Sequence, residues 1–262
     1  MRRLLMILFI AGLFASTMVN VLSSSSVSAQ LSLVPSPPSL GSAQPQRNAL
    51  ILSPISSFDP WRPEDLARIN SYLAQAGYAV TYLENTEVTL DFMTKQLNNY
   101  NLIIWRSQVY EQNHITYYYI GQYNNAATEQ VYASDFKSGA LDASNGIIGA
   151  SVDFFANHIS QGSLTNVKLM VLIASLSDSI SGTFLSAGVS AIIEFTGVFS
   201  MQFAFADDIA TGIFAYLTQG NSVANSVLNT VGPFQTMILE DPLDSTNIPN
   251  VAYTGNAAVT IT

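Results

Sequence analysis

Cysteine is absent from the chain. Its absence excludes disulfides, a thiolate nucleophile, thiolate metal centres and iron–sulfur chemistry. A domain of this size can rest on its core, so missing disulfides do not argue against export. Positive charge is scarce as well. Lys and Arg total 9 against 18 Asp and Glu, and lysine occurs only at Lys95, Lys137 and Lys168. Nucleic-acid binding needs basic patches that neutralise phosphate, so no nucleic-acid partner is expected. The formal net charge of −9 suits solubility or cationic partners. The acids form no ligand-spaced cluster, and Walker and dinucleotide-fingerprint spacings are lacking. No metal and no cofactor is expected, and there is no internal repeat.

What is present begins with a basic start, Arg2-Arg3, and an apolar run from Leu4 to Phe14. It fades through Ser16, Thr17 and Asn20 into the small-residue stretch Ser23 to Ala29. This is the layout of a secretory signal with cleavage after Ala29. The alternative is an uncleaved anchor, because the apolar run extends to Leu22. The expected location is secreted or extracytoplasmic, with any membrane attachment through this segment alone. Residues 30–47 follow as a Ser/Pro-rich linker with Pro35, Pro37, Pro38 and Pro45. The folded α/β domain is expected over 48–235, and a C-terminal β-extension over 236–262.

Within the domain, short apolar runs alternate with amphipathic stretches. Ala49–Ser53, Tyr78–Leu83, Leu102–Trp105, Lys168–Ala174 and Val189–Phe195 read as buried strands. Pro63-Glu64-Asp65 opens a helix whose Leu66, Ile69, Leu73 and Ala76 share a face, and Gly77 ends it. Thr89 to Asn98 reads as a second helix, and Asp207-Asp208 as the start of another. Asn221 to Asn229 gives one more. Such alternation implies a mostly parallel sheet flanked by helices on both faces. Ile115–Gly121 and Gln130–Ala133 are β-prone and suggest an inserted hairpin. Gly146 to His158 reads as a helix, and Thr183 to Ala187 as a short one. The stretch Asn250 to Thr262 alternates around Gly255-Asn256 and suggests a terminal hairpin.

Two strand ends carry the functional reading. Asn101 to Gln108 and Val167 to Ser175 are apolar runs that break abruptly into polar residues. In open α/β sheets chemistry sits at the carboxyl ends of the strands. With Ala187-Gly188-Val189-Ser190, Asp207-Asp208, Phe214, Leu217 and Gly220-Asn221-Ser222-Val223, these runs resemble the caspase-like peptidase fold, including its clostripain, gingipain and CHAT relatives. The resemblance runs from about Ala49 to about Val231. It implies a His-Gly at the first rim and a nucleophilic Cys at the second. Here Gln108-Val109 and Ser175 stand at those positions. An amide cannot accept and return a proton at neutral pH. A serine hydroxyl depends on a nearby base far more than a thiol does. Val109 would crowd the backbone where an oxyanion hole is needed.

The resemblance, with its dyad replaced, implies a catalytically inactive domain binding a peptide or protein partner at the former active-site cleft; the secretory pattern adds export, and the acidic groups favour a basic partner. Arg106, Ser107, Asp178, Tyr117 and Tyr119 are the expected cleft residues. Trp105, Tyr118, Tyr123 and Tyr132 add to the aromatic content near this rim. An alternative is an active peptidase or other hydrolase with Ser175 as nucleophile and His114 as base. His158 is read as a helix-end residue. A second alternative is a structural cell-envelope protein without a ligand.

Overall fold

Apolar runs with β-branched residues supply the sheet, and capped stretches of helical period supply its cover. The computed structural model describes residues 46–196, 203–240 and 250–262, with backbone alone over 234–240. All of them belong to one unit, Ala43–Thr262. The expected secretory segment, and the linker before Gln46, lie outside the described residues. Strand β1 (Arg47–Ser53) leads into α1 (Pro63–Gln75) and β2 (Tyr78–Glu84). Helix α2 (Leu90–Lys95) starts at Thr89, whose side chain accepts the Phe92 N–H, and leads to β3 (Leu102–Arg106). The later strands of the same sheet are β8 (Leu169–Ile173), β9 (Ala191–Thr196) and β10 (Asn250–Gly255). The strand order is β10-β9-β8-β3-β1-β2. Only β10 runs antiparallel to its neighbour. The architecture is α/β, as the alternation predicts.

Side chains alternate across each strand, so the sheet divides the core in two. One face carries Ile51, Ile104, Val171 and Ile193 against α1, α7 (Phe203–Leu217) and α8 (Val223–Glu240). The other carries Leu52, Trp105, Leu172 and Ile192 against α2, α5 (Val152–His158) and α6 (Asp178–Ser186). This second face is completed by a small sheet, β4 (Val109–Gln112), β5 (Ile115–Tyr123), β7 (Ile147–Ala150) and β6 (Leu141–Asp142), in the order β4-β5-β7-β6.

Several expectations are corrected. The hairpin pairs Ile115–Tyr123 with Val109–Gln112, and not with Gln130–Ala133. The latter segment lies across α3 (Ala126–Val131) and α4 (Ala133–Ser138), started by the Asn125 side chain accepting the Thr128 N–H. The span 146–158 is a strand followed by a helix. The terminal hairpin is instead one strand, β10, added to the edge of the main sheet. Helix α6 begins at Asp178, earlier than expected, and α7 begins at Phe203, placing Asp207 in its second turn. Helix α8 runs through Pro233. The linker ends one residue early, since Arg47 belongs to β1 and donates from Nη1 to the Ile261 carbonyl at 2.6 Å.

Candidate functional site

The site is built where β3 and β8 lie side by side. Their register pairs Arg106 with Ile173. Gln108 and Ser175 each come two residues later, so they meet the rim at the same height. The Ser107 N–H donates to the Ile173 carbonyl at 3.0 Å and holds the two strand ends together. Ser175 is 9% exposed. The next residue, Leu176, has φ 55°, a left-handed backbone that costs an L-residue roughly 1–2 kcal/mol. That strain is held by Tyr118, whose hydroxyl donates to the Leu176 carbonyl at 2.7 Å. Since that proton is used, Ser179 Oγ donates to Tyr118 at 2.7 Å. Burial first, then the charges of Asp178 and Glu194, push Tyr118 up to about 12 against the Ser179 hydrogen bond. Asp178 itself is exposed at the start of α6.

Arg106 does not face the cleft, which corrects its expected role. It is 1% exposed. Its Nε donates to Asp207 at 2.9 Å and its Nη2 to the same carboxylate at 3.2 Å. Its Nη1 and Nη2 reach the Asp59 carbonyl and carboxylate at 2.6 and 3.1 Å. The guanidinium stacks on Phe203 at 4.3 Å and Trp61 at 5.3 Å. Asp207 is also 1% exposed. Burial comes first and pushes Asp207 up to about 6, against the pull of Arg106. Nearby, Arg62 pairs with Asp65 and Asp208. Strand order reverses direction between β1 and β3, the place where open α/β sheets usually bind ligands. Here Arg106 and its aspartates link the ends of these elements. Among the described residues no group of three or more His, Asp or Glu side chains is arranged to hold a metal ion.

Two more expected cleft residues are buried. Ser107 is 0% exposed and donates to the Tyr119 and Gln108 carbonyls. Tyr117 is 4% exposed, donates to the Gly139 carbonyl at 2.7 Å and stacks on Tyr110 at 5.3 Å. Tyr119 stays half-buried, with Phe58 edge-on at 6.1 Å and Tyr110 at 4.9 Å. Gln108 is half-buried, and its carbonyl accepts the Tyr119 N–H at 3.1 Å. The hairpin is thus fastened to the rim through backbone groups.

His114 occupies the tip of the β4–β5 hairpin. Asn113 and His114 have φ of 53° and 64°, the paired left-handed geometry of a two-residue hairpin turn. The His114 side chain is 99% exposed and lies 3.6 Å from Glu111. It borders a cleft of about 230 Å³ that also touches Asp153 and Ser179. His158 pairs with Asp135 at 3.1 Å and lies against Phe154, a helix-end packing role. Sequence reasoning missed Asp59, the partnership of Asp207 with Arg106, Tyr118 as the brace of Leu176, and Glu194. The inward phase of Tyr118 in the alternating β5 was the one signal that could have found it.

Comparison with solved structures finds chains of similar fold. No family model and no curated protein matches the chain. The crystal structure of the Drosophila initiator caspase Dronc is similar to it, at 5% identity and a TM-score of 0.43, covering 81% of each chain.

Proposed function

We propose that this protein is an exported, catalytically inactive caspase-like domain that binds a peptide or protein partner along the rim between Gln108 and Ser175. The observation that carries the reading is that these two residues each lie two positions beyond the paired ends, Arg106 and Ile173, of neighbouring parallel strands. They stand where the resemblance calls for a base and a nucleophile, and the side chain at the base position is an amide. Proton transfer at that position is therefore lost, while the framework that would present an extended chain remains. The half-buried Tyr119, the exposed Phe58 and the exposed Asp178 border this rim. Aromatic side chains with a polar end suit a peptide interface, and the acids favour a basic segment.

The test is titration of the full chain with labelled peptides of random sequence, followed by fluorescence anisotropy. Saturable binding is expected, weakened by a Tyr119→Ala and Phe58→Ala pair and by rising salt. Absence of binding to any peptide would sink the reading. Export is tested separately, by N-terminal sequencing of the protein recovered outside the cytoplasm. A mature start at Gln30 is expected, and an intact Met1 start would overturn the cleavage.

A further inference from the structure

The turn between β6 and β7 brings an electrophile and a nucleophile together in solvent. Asn145-Gly146 is the single Asn-Gly pair in the chain. Ser144, Asn145 and Gly146 are all exposed. The Gly146 N–H closes the turn by donating to the Ala143 carbonyl at 2.9 Å. Gly146 has a φ of 82°, a left-handed position that glycine fills without strain. A Cβ built there would meet nothing within 4 Å.

The side-chain carbonyl carbon of an asparagine lies one small ring away from the backbone nitrogen of the next residue. Two things ordinarily keep them apart. A Cβ on the following residue crowds the approach, and regular secondary structure pins the nitrogen. Gly146 has no Cβ, and one turn hydrogen bond restrains its nitrogen. The ladder behind that turn is short, with Leu141 opposite Ala150 and Asp142 opposite Gly149. Exposed backbone bonds on so short a ladder open at low free energy. The asparagines followed by serine are held more firmly. Asn70 lies inside α1 and Asn225 inside α8, where the Ser226 N–H donates to the Ser222 carbonyl at 2.9 Å. Asn221 is fastened by its own side chain, which donates to the Tyr216 carbonyl at 3.0 Å.

We propose that Asn145 is a site of spontaneous, one-way deamidation, and that the change unties this turn from the hairpin beside it. The Gly146 nitrogen gives up its proton to hydroxide and bonds to Cγ of Asn145. The Cγ–Nδ2 bond breaks, and Nδ2 leaves as ammonia with a proton from water. Water then opens the cyclic imide at either carbonyl. The product is aspartate or, with the backbone rerouted through Cγ, isoaspartate. One water enters, one ammonia leaves, and nothing is oxidised or reduced. The reaction requires no bound partner and is independent of the peptide-binding reading.

Its consequences follow from the contacts of the turn. Asn145 Nδ2 donates to the Tyr119 hydroxyl at 3.3 Å, and that donor is lost. The new carboxylate lies three residues from Asp142, which already accepts from Tyr110, the Ser144 N–H and the Ser144 hydroxyl. The Gly146 carbonyl accepts the Asn124 N–H at 3.0 Å, just before Ile147 pairs with Tyr123. Isoaspartate lengthens the backbone at this entry to β7 and moves that carbonyl away.

The experiment incubates the full chain in warm buffers from mildly acidic to mildly alkaline. Timed samples are digested and read by mass spectrometry with electron-transfer fragmentation, which separates aspartate from isoaspartate. Asn145 should convert ahead of every other asparagine, to both products, and faster at each higher pH. Conversion no faster than at Asn70, Asn221 or Asn225, or a rate indifferent to pH, overturns the proposal. Gly146→Asn keeps a residue that tolerates the left-handed φ and adds a Cβ in open space. It should slow conversion of Asn145, and an unchanged rate overturns the role of Gly146. In the isoaspartate fraction the Asn124 amide should exchange its hydrogen faster than in fresh protein. Equal exchange overturns the untying of the turn.

Discussion

Replacing Arg106 by methionine should be among the most damaging single changes in this protein. The substitution keeps much of the volume and removes the guanidinium. What stays behind is Asp207, 1% exposed, with no cation in contact. Removing one partner of a buried ion pair costs about 3–5 kcal/mol. Stacking on Phe203 and Trp61 is lost as well, adding on the order of 1 kcal/mol. In a domain of this size such a loss lowers the melting temperature by roughly 8–24 °C. The double replacement Arg106→Met with Asp207→Leu removes both charges and should recover at least about 2 kcal/mol over the single variant, as hydrophobic exchange of a buried pair often does. Asp59, partly exposed, can rehydrate. The pH dependence carries the sign. Asp207 binds its proton more tightly in the folded state, at about 6 against an ordinary 3.8. Its contribution to stability is therefore complete below about pH 3.8 and is lost as pH rises through about 6. The amount is on the order of 3 kcal/mol. Subtracting the stability curve of Asp207→Asn from that of the wild type should show this loss between pH 4 and 7. In Arg106→Met the loss moves to higher pH, because the opposing cation is gone. The measurement is urea unfolding at a series of pH values. A single-variant cost below about 1 kcal/mol, a double variant no better than the single, or a flat difference curve would refute the reasoning.

Three further outcomes are expected. His114→Gly should leave the melting temperature unchanged or raise it slightly, since glycine suits the left-handed φ of 64° without strain. A fall of several degrees in thermal melting would show that the imidazole holds the hairpin. Gly121→Ala should destabilise by roughly 2–4 kcal/mol in denaturant titration, because a Cβ there would meet the Asn85 carbonyl oxygen at 2.1 Å with φ at +81°. A neutral effect would mean that the strand and the loop carrying Asn85 do not meet as described. A fluorophosphonate probe should leave Ser175 unlabelled, as judged by mass spectrometry of the tryptic digest. Stoichiometric modification there would restore the hydrolase reading.

The main sheet was legible because its strands are short, fully apolar and separated by capped helices. Leu102–Arg106 and Leu169–Ile173 are buried on both faces and read as continuous runs. The insertion was not legible in detail. Tyr132 and Val131 have β propensity, yet Asn125 caps a helix there, and the local cap outweighed the preference of the side chains. The hairpin turn escaped notice because Asn-His lacks the glycine that usually marks left-handed turn positions. Ile147–Ala150 pairs with Tyr118 and Tyr119, a partnership set by tertiary contact: Tyr110 lies over Gly149, where a Cβ would come within 2.3 Å of its hydroxyl. At the rim, the two level positions were readable from the strand ends. The burial of Arg106 was not, because its partner Asp207 lies 101 residues away and looks, locally, like a helix start.

Strand β10 fixes an order of events during synthesis. The hydrogen-bonding edge of Ala191–Thr196 closes only when Asn250–Gly255 has emerged, and Arg47 meets the Ile261 carbonyl later still. Until then the growing chain offers an unprotected apolar edge to any other strand nearby, an invitation to aggregate. A translational stall before residue 250 would leave the Ala191–Thr196 edge without its antiparallel partner.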